Sequence, residues 1–300
     1  MLWDHNVGAD GGSSFHGSML IEGDRLYVGT DGDAGFLYAF DLAGATVAWK
    51  RGIGHKASSD ILGGNGLVYA ASVNDEAERL QCLRAADGEI VWEHVWPLPA
   101  DHSGYVKSAA LVGDTIVFGG QDGTVIAFDA ASGAQRWTAH IDDAITTSMT
   151  VMGNAFFCGG ESGTLYRLRR SDGAIEATFD LGKQLFGPPT PMGGAIVQFT
   201  EWSDGGPSEV IALAPDLGGV RWRWSLPEGR TGTSARPYRL GSDLLIGTDK
   251  GDVIALDLTR GTPTWTFTVE GTVRALRAVG RTLYIGTLQG PLHAVELPEH

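Results

Sequence analysis

A motif of short β-runs and tight turns recurs along the whole chain. The clearest copy runs from Gly113 to Trp137, and a close twin runs from Gly241 to Trp265. Each copy has a glycine turn, an apolar run, a second glycine turn, another apolar run ending in Asp, and a closing tryptophan. A repeat of this length built from strands predicts either a solenoid or a propeller. Six copies end at equivalent positions, with steps of 40 to 45 residues between them: Trp49, Trp92, Trp137, Ala177, Trp222 and Trp265.

The two ends of the chain complement each other and decide between these architectures. After Trp265 a seventh copy runs to His300 without a closing tryptophan, and Trp3 supplies one at the start. A linear solenoid has no use for complementary half-repeats. A ring does, because an N-terminal strand can complete the last blade and remove open sheet edges. The sequence therefore predicts an all-β fold: a seven-bladed β-propeller with four antiparallel strands per blade, closed by its N-terminal strand.

Each blade needs its neighbours to bury its faces, so the ring predicts a single domain over residues 1–300. We expect the closing tryptophans to pack between adjacent blades. The turn signals of the third copy, Asp-Gly and Ser-Gly, place its four strands at Val106–Val112, Thr115–Gly119, Thr124–Asp129 and Gln135–Ile141. The predicted blades cover residues 14–54, 55–99, 104–142, 143–183, 184–229, 230–270 and 271–300 with 1–8.

Net charge, cysteine content and the start of the sequence indicate the kind of partner and the cellular location to expect. The net charge of −14 argues against nucleic acid, which requires clustered Lys and Arg, and fits a soluble monomer whose copies repel each other. Cys82 and Cys158 lie in apolar runs of different copies and are expected to be reduced core thiols. The start of the sequence has neither a basic nor an apolar leader region. The sequence therefore predicts a cytoplasmic protein, or one whose export signal has been removed, with no membrane contact.

The repeat resembles that of quinoprotein dehydrogenases and their relatives. The resemblance rests on the copies ending at Trp49, Trp92, Trp137, Trp222 and Trp265: a glycine turn, Tyr/Phe-x-Gly-Ser/Thr, Asp-Gly, Ala-Leu/Phe-Asp, Thr/Ser-Gly and Trp. It covers essentially the whole chain and is specific for the fold. The family includes quinone-dependent alcohol dehydrogenases, outer-membrane assembly lipoproteins, sensor domains of receptor kinases and small propellers of unknown role. Fold alone does not fix the function.

The functional residues of these relatives do not carry over. The quinone enzymes are similar to a larger, eight-bladed ring with an adjacent Cys-Cys pair over the cofactor and Asp, Glu and Asn ligands for calcium. This chain has no adjacent cysteines. The sequence therefore predicts no quinone cofactor and no metal. No lipobox cysteine precedes the first copy either.

Propeller geometry predicts a site where the innermost strands and their entry loops line a central funnel. Alignment of the seven inner strands places Lys56, Lys107 and Arg274 in this funnel against one carboxylate, Asp60, with Tyr105 nearby. Basic side chains in a cleft of an acidic protein would attract a small anion such as a carboxylate or phosphate. Alternatively, each cation pairs with a neighbouring Asp or carbonyl. If the other set of alternating side chains faces the funnel, the exposed residues are instead His16, Arg236 and Arg277.

Two insertions interrupt the repeat, and both are expected to reach the mouth of the funnel. They are His94–Tyr105 and Glu201–Ser208. Insertions on a rigid scaffold often carry function, so an aromatic rim over the funnel is expected from Trp96, His102, Tyr105 and Trp202. Glu201 is a further ligand-binding candidate. The alternative is that the tryptophans only fill apolar gaps.

The candidates for catalysis are few. His55, His102 and Asp60 could form a general acid–base set, and Lys107 could act as a base or form an imine. A metal site of His16, His55 and His102 has no supporting His-x-His spacing. Two functions follow: a propeller that binds a small anionic metabolite or a partner protein, or a cofactor-independent cyclase, lyase or hydrolase of a small metabolite.

Overall fold

The computed structural model confirms an all-β chain. It describes residues 18–44, 46–56, 59–74, 76–98, 109–201, 207–232, 236–288 and 292–297, without the side chains of 33, 34 and 55. Every regular element within these ranges is a β-strand. No helix long and apolar enough to cross a membrane occurs in them.

The strands follow the sequence repeat, with four described strands in each of the first six copies and three in the seventh. We number the copies repeat 1 to repeat 7 in chain order. Repeat 1 comprises β1 (Leu20–Glu22), β2 (Arg25–Gly29), β3 (Asp31–Asp41) and β4 (Thr46–Lys56). Repeat 2 comprises β5 (Leu62–Gly64), β6 (Leu67–Val73), β7 (Ala77–Arg84) and β8 (Ile90–Pro97). Repeat 3 comprises β9 (Ala110–Val112), β10 (Thr115–Gly119), β11 (Thr124–Asp129) and β12 (Gln135–His140). Repeat 4 comprises β13 (Thr150–Met152), β14 (Ala155–Gly159), β15 (Thr164–Arg169) and β16 (Ile175–Asp180).

The remaining repeats have the same order of elements. Repeat 5 comprises β17 (Leu185–Met192), β18 (Ala195–Thr200), β19 (Glu209–Leu213) and β20 (Val220–Ser225). Repeat 6 comprises β21 (Tyr238–Leu240), β22 (Asp243–Gly247), β23 (Asp252–Asp257) and β24 (Pro263–Thr268). Repeat 7 comprises β25 (Thr272–Val279), β26 (Thr282–Leu288) and β27 (His293–Glu296).

Within each repeat the strands pair antiparallel with their sequence neighbours. Repeats 3 to 6 each form a separate four-stranded sheet, and repeat 7 forms a three-stranded one. Repeats 1 and 2 join into one eight-stranded sheet through the pair Lys56 and Val73 of β4 and β6. In repeats 2 to 6 the fourth strand lies at one edge of its sheet. We call the fourth strands of repeats 1 to 6 the outer strands.

The repeats are grouped into two compact units. The N-terminal unit comprises residues 1–154 and 169–174, and the C-terminal unit comprises 155–168 and 175–300. Each has its own apolar core. In the N-terminal unit one core cluster packs Tyr69, Cys82 and Phe128 together. In the C-terminal unit another packs Leu245, Val253 and Leu283 together.

The third repeat shows how accurately the turn signals locate strands. β10 and β11 have the predicted bounds, and β12 ends one residue earlier at His140. β9 begins at Ala110, since Ala109 is not in a strand, and 106–108 of the predicted strand lie outside the described residues. Gly123 has φ +82°, and the Asp122 carboxylate accepts a hydrogen bond of 2.9 Å from the Thr124 amide. The glycine conformation and the Asp side chain together close the hairpin, as the sequence predicts.

Ring closure and the single domain stay predictions. Residues 1–17, including Trp3, lie outside the described part of the chain. In repeat 7 the described residues supply three strands, and β27 is the last of them.

The closing tryptophans pack between neighbouring repeats, as predicted. Four of them, Trp49, Trp92, Trp137 and Trp222, place the indole on a turn glycine of the next repeat and donate from Nε1–H to a carbonyl of that turn. We call such a contact a joint and number it by the repeat whose fourth strand forms it, so that joint 2 lies between repeats 2 and 3. At joint 2 the Trp92 indole donates to the Ala130 carbonyl at 2.9 Å, and a Cβ at Gly133 would lie 2.7 Å from the ring. The other joints of this kind are Trp49 on Gly88, Trp137 on Gly173 and Trp222 on Gly261. The buried Nε1 of Trp265 has no hydrogen-bond partner among the described residues.

Joint 4, between repeats 4 and 5, is different. Ala177 stands at the tryptophan position of repeat 4. In the facing turn, the nearest atom to a Cβ at Gly218 would be the Asp216 carboxylate at 3.1 Å rather than an indole. The left-handed conformation there belongs to Leu217, with φ +57°, and this side chain is 4% exposed. Two departures from the repeat therefore occur at the same joint.

Candidate functional site

Most of the funnel residues predicted from the sequence lie outside the described part of the chain. The structure gives no account of the imine or base candidate, the aromatic candidates or the two other histidines. These residues are Lys107, Tyr105, Trp202, His16 and His102. His55 belongs to β4, and the structure describes its backbone but not its side chain. The acid–base set and the funnel map stay predictions.

Lys56 and Asp60 are the described candidates of the N-terminal unit. Lys56 is the last residue of β4, is exposed, and lies in register with Asp31 on one side and Val73 on the other. Asp60 is half-buried, and its Oδ1 accepts a hydrogen bond of 3.0 Å from the Ser18 amide. Asp60 thus helps to hold the start of repeat 1 against repeat 2.

Arg236 and Arg274 are the described candidates of the C-terminal unit. Both side chains are exposed, Arg236 just before β21 and Arg274 within β25. Although Arg236 has an exposed surface, the protein atoms around it remove part of its hydration and lower its pKa, and the residue remains cationic at neutral pH.

The first insertion begins inside a strand. His94 and Trp96 belong to β8 and pack inward at joint 2, where Trp96 stacks on Phe118 at 5.1 Å and His94 on Phe128 at 4.1 Å between ring centroids. The His94 Nε2 also lies 2.9 Å from the Gly133 carbonyl oxygen. Trp96 therefore fills apolar space between repeats rather than forming part of an open rim.

The second insertion begins beside a pocket of the C-terminal unit. This pocket has a volume of about 290 Å³ and lies between the ends of β18 and β19 and the connection into repeat 6. The Glu201 amide donates to the Gln184 carbonyl at 2.8 Å. The pocket is lined by Phe186, Thr200, Glu201, Ser208, Thr231 and Gly232.

A buried carboxylate next to this pocket is held by internal ion pairs. Glu209, at the start of β19, is 6% exposed and lies 3.0 Å from Lys183 Nζ and 3.4 Å from an Arg223 nitrogen. Its amide donates to the Thr200 hydroxyl at 3.1 Å. Lys183 also donates to the Pro207 carbonyl at 3.0 Å. The lysine therefore holds the loop connection to the sheet, as a structural ion pair does.

Repeat 6 has the same arrangement. Asp252, at the start of β23, is 7% exposed and accepts hydrogen bonds from Arg230, Thr268 and Thr248. Burial alone would raise the pKa of Asp252, but the bonds from Thr268 and Arg230 outweigh it and keep the pKa below its usual range. Lys183 and Arg230 precede the first strands of repeats 5 and 6, so each connects its entry loop to its own sheet. Sequence reasoning missed both pairs, because it searched the inner strands and not the third-strand starts.

This arrangement stabilises loops more readily than it supports catalysis. The buried Glu209 carboxylate is bound by Lys183 and Arg223, and the buried Asp252 carboxylate by Arg230, Thr248 and Thr268, so both are engaged in holding loops to the sheets. Among the described residues no group of three or more His, Cys, Asp or Glu side chains could hold a metal ion. The pocket of repeats 5 and 6 is therefore bordered by loops that these ion pairs hold to the sheets.

Solved structures share this fold over nearly the whole chain. BamB from Moraxella catarrhalis has a TM-score of 0.75 at 19% identity, covering 94% of this chain and 85% of that one. The computationally designed protein Ika8 has a TM-score of 0.70 at 15% identity, covering 93% and 82%. Quinohemoprotein alcohol dehydrogenase ADHIIG from Pseudomonas putida HK5 has 0.67 at 13%, covering 89% and 61%. The fold is therefore a β-propeller of quinoprotein-like repeats, as the resemblance predicts.

The family is more specific than the fold. The family model described as Outer membrane protein assembly factor BamB matches residues 1–149, 121–206 and 206–297. The chain belongs to this family. A curated protein of the same name from Burkholderia pseudomallei (strain K96243) is 27% identical over 177 residues, which are 58% of this chain and 45% of that protein. The chain thus spans less than half the length of the curated relative it matches.

The predicted cytoplasmic location is wrong. The matching family and the curated relative are both described as outer membrane protein assembly factors. The prediction relied on the lack of leader features near Met1. The fold could not correct it, because a propeller fold does not indicate where a protein works.

Proposed function

We propose that this chain is a non-catalytic, protein-binding β-propeller that takes part in outer membrane protein assembly. The observation that carries the proposal is the match of the assembly-factor family model along nearly the whole chain. The fold shared with BamB from Moraxella catarrhalis over 94% of the chain supports it. Assembly would require a scaffold that presents surface to other proteins, and propellers offer such surfaces.

The described polar groups also favour a scaffold. Lys183, Glu209, Arg230 and Asp252 are engaged in pairs that hold loops to sheets, which is a structural role. The small anionic metabolite and the cofactor-independent enzyme have no comparable support. The proposal therefore keeps the protein-partner half of the sequence hypothesis.

Cell fractionation and co-purification test this function. In the source organism, the tagged full chain should fractionate with the outer membrane and co-purify, after mild detergent extraction, with proteins that assemble outer membrane β-barrels. Deletion of the chain should lower the amount of β-barrel proteins in that membrane. A chain found in the cytosolic fraction, with unchanged outer membrane protein levels on deletion, would contradict the proposal.

A further inference from the structure

The outer strands of six repeats provide an internal comparison of surface character. In each of these strands the second, fourth and sixth positions point outward and are exposed, except that the register in β4 begins one residue later. Four strands carry polar or charged residues there: Arg136, Thr138 and His140 on β12; Glu176, Thr178 and Asp180 on β16; Arg221, Arg223 and Ser225 on β20; Thr264, Thr266 and Thr268 on β24. On β4 the corresponding residues are Ala48, Lys50 and Gly52.

Strand β8 departs from this pattern. Its outward residues are Val91, Glu93 and Val95, and the two valines are 45% and 52% exposed. β8 is eight residues long, against six in the outer strands of repeats 3 to 6. Exposed edge strands are normally protected by charged or polar side chains, because an apolar edge attracts a further strand. In β8 this protection is reduced to Glu93 and the final Pro97.

The opposite face of β8 is fixed by packing. Trp92, His94 and Trp96 all pack at joint 2, and the Trp92 indole donates to the Ala130 carbonyl at 2.9 Å. Along its other edge β8 pairs with β7 from end to end. Its free edge pairs with no other strand of the described chain. The strand is therefore held in an extended form before any partner arrives, which lowers the entropic cost of binding.

Glu93 indicates the charge of the occupant. Arg79 and Gln81 both contact the Oε1 of Glu93, at 3.4 and 3.3 Å. The Glu93 side chain is still 34% exposed, so part of its carboxylate is accessible to solvent. The carboxylate can accept a further hydrogen bond from a lysine or arginine on an added strand. A second copy of this chain does not meet this condition, because the two-fold register that pairs Val91 with Val95 places Glu93 against Glu93.

We propose that the free edge of β8 binds an extended segment of a partner protein, which adds as a fifth strand to repeat 2. Aliphatic side chains of the segment lie against Val91 and Val95, and a basic side chain between them lies against Glu93. Strand addition of this kind takes affinity from main-chain hydrogen bonds and specificity from alternate side chains. The inference rests on the proposed protein-binding function and names the surface and the chemistry of the partner.

Binding of short labelled peptides to the full chain, measured by fluorescence anisotropy, tests the proposal. The probe is Thr-Val-Thr-Lys-Thr-Val-Thr, and the control peptide Thr-Lys-Thr-Val-Thr-Lys-Thr exchanges the aliphatic and basic positions. The probe should bind at least tenfold more tightly than the control. The double variant V91T/V95T keeps the side-chain shape and should weaken probe binding at least tenfold. T178V, at an outward position of β16, is the matched control and should leave binding unchanged.

A charge exchange gives a second readout. E93K should lose affinity for the lysine peptide and gain it for Thr-Val-Thr-Glu-Thr-Val-Thr. The proposal is overturned if the unmodified chain binds no probe at millimolar concentration, if both peptides bind equally, or if V91T/V95T binds as well as the unmodified chain. Self-association that V91T/V95T removes, seen by light scattering, would assign the edge to a second copy and also overturn it.

Fractionation of V91T/V95T separates this proposal from the proposed function. If the variant still co-purifies with the outer membrane assembly proteins at the unmodified level, the β8 edge is not their binding surface, and the assembly function stands. If the unmodified chain shows no such association, the assembly function fails, while the peptide measurements still decide whether the edge binds a strand.

Discussion

Joint 2 in the N-terminal unit and joint 4 in the C-terminal unit solve the same packing problem with different residues. At joint 2 a tryptophan covers Gly133, whose φ of +70° and lack of a Cβ let the indole approach closely. At joint 4 the tryptophan is replaced by Ala177, and a buried leucine, Leu217, takes the left-handed turn position.

The difference shows that the repeat constrains pairs of positions rather than single ones. A large ring requires a bare glycine opposite it, because protein interiors leave no spare volume. Where the ring is absent, the facing turn can carry a large side chain, even at a residue with positive φ that costs about 1–2 kcal/mol. The motif therefore describes joints, each made by two repeats.

Gly133→Ala should have the largest effect on this comparison. The new methyl group would adopt an unfavourable left-handed backbone and would overlap the Trp92 ring, so we expect a loss of about 3 kcal/mol in the free energy of unfolding. Urea unfolding followed by fluorescence measures it.

Gly218→Ala is the matched change at joint 4. This glycine is not left-handed, and its nearest neighbour is the movable Asp216 carboxylate, so the loss should be below about 1 kcal/mol. Equal losses in the two variants would show that the joints do not differ in the way described.

Placing a tryptophan at the repeat position of joint 4 should have the next largest effect on the free energy of unfolding. Ala177→Trp alone should destabilise the chain by about 1–3 kcal/mol through overpacking. If Leu217 occupies the space of the missing ring, adding Leu217→Asp, the residue type of the equivalent Asp87, should recover at least about 1 kcal/mol. A double-mutant cycle with no coupling energy would show that the two departures are independent.

Alkaline pH should destabilise the core behind joint 2. Cys82 is fully buried, and burial raises the pKa of its thiol to about 12. Its contribution to stability is complete at neutral pH. It is lost as pH rises above about 9, because the unfolded thiol then releases its proton while the folded one retains it.

The free energy of unfolding should therefore fall between pH 9 and 10 by up to about 1.4 kcal/mol per pH unit. Cys82→Ala should remove most of this slope. An unchanged slope in the variant would assign the effect to other groups, such as Tyr69, whose pKa is also raised by burial.

Acid should act on the C-terminal unit, with the smallest expected effect. The pKa of Asp252 is lower in the folded chain, because the hydrogen bonds from Thr268 and Arg230 outweigh its burial. Its stabilisation is present above the ordinary carboxyl pKa of about 4 and is lost as pH falls through the folded value. Asp252→Asn should therefore reduce stability at pH 6 and flatten the loss below pH 4. A variant with the unmodified acid profile would contradict this assignment.

The sequence predicts the regular parts of the molecule well, because its turns carry local signals. Asp122-Gly123 and Asp129 through Gly133 have the backbone and side-chain bonds that these residue types favour, and they locate the strands of repeat 3. The packing of Trp49, Trp92, Trp137 and Trp222 follows from their spacing.

The candidate site was less accessible to sequence reasoning. His102 and Trp202 fall in insertions that depart from the repeat, so no neighbouring copy predicts their positions. Lys107 follows the repeat but lies outside the described residues. The pairs of Lys183 with Glu209 and of Arg230 with Asp252 depend on loop paths between strands. The valines of β8 were visible in the sequence, but their meaning needed the structure, which shows that the equivalent positions of other repeats face outward.

The pairing of Trp49, Trp92, Trp137 and Trp222 with a glycine in the following repeat bears on how such a chain can change during evolution. A module bounded by two tryptophan–glycine contacts could be duplicated or exchanged for another, since its two borders follow one common rule. A module that meets the border formed by Ala177 and Leu217 could not be exchanged without altering its neighbour as well. Recombination within this lineage should therefore break more readily at the four tryptophan–glycine borders than at the border formed by Ala177 and Leu217.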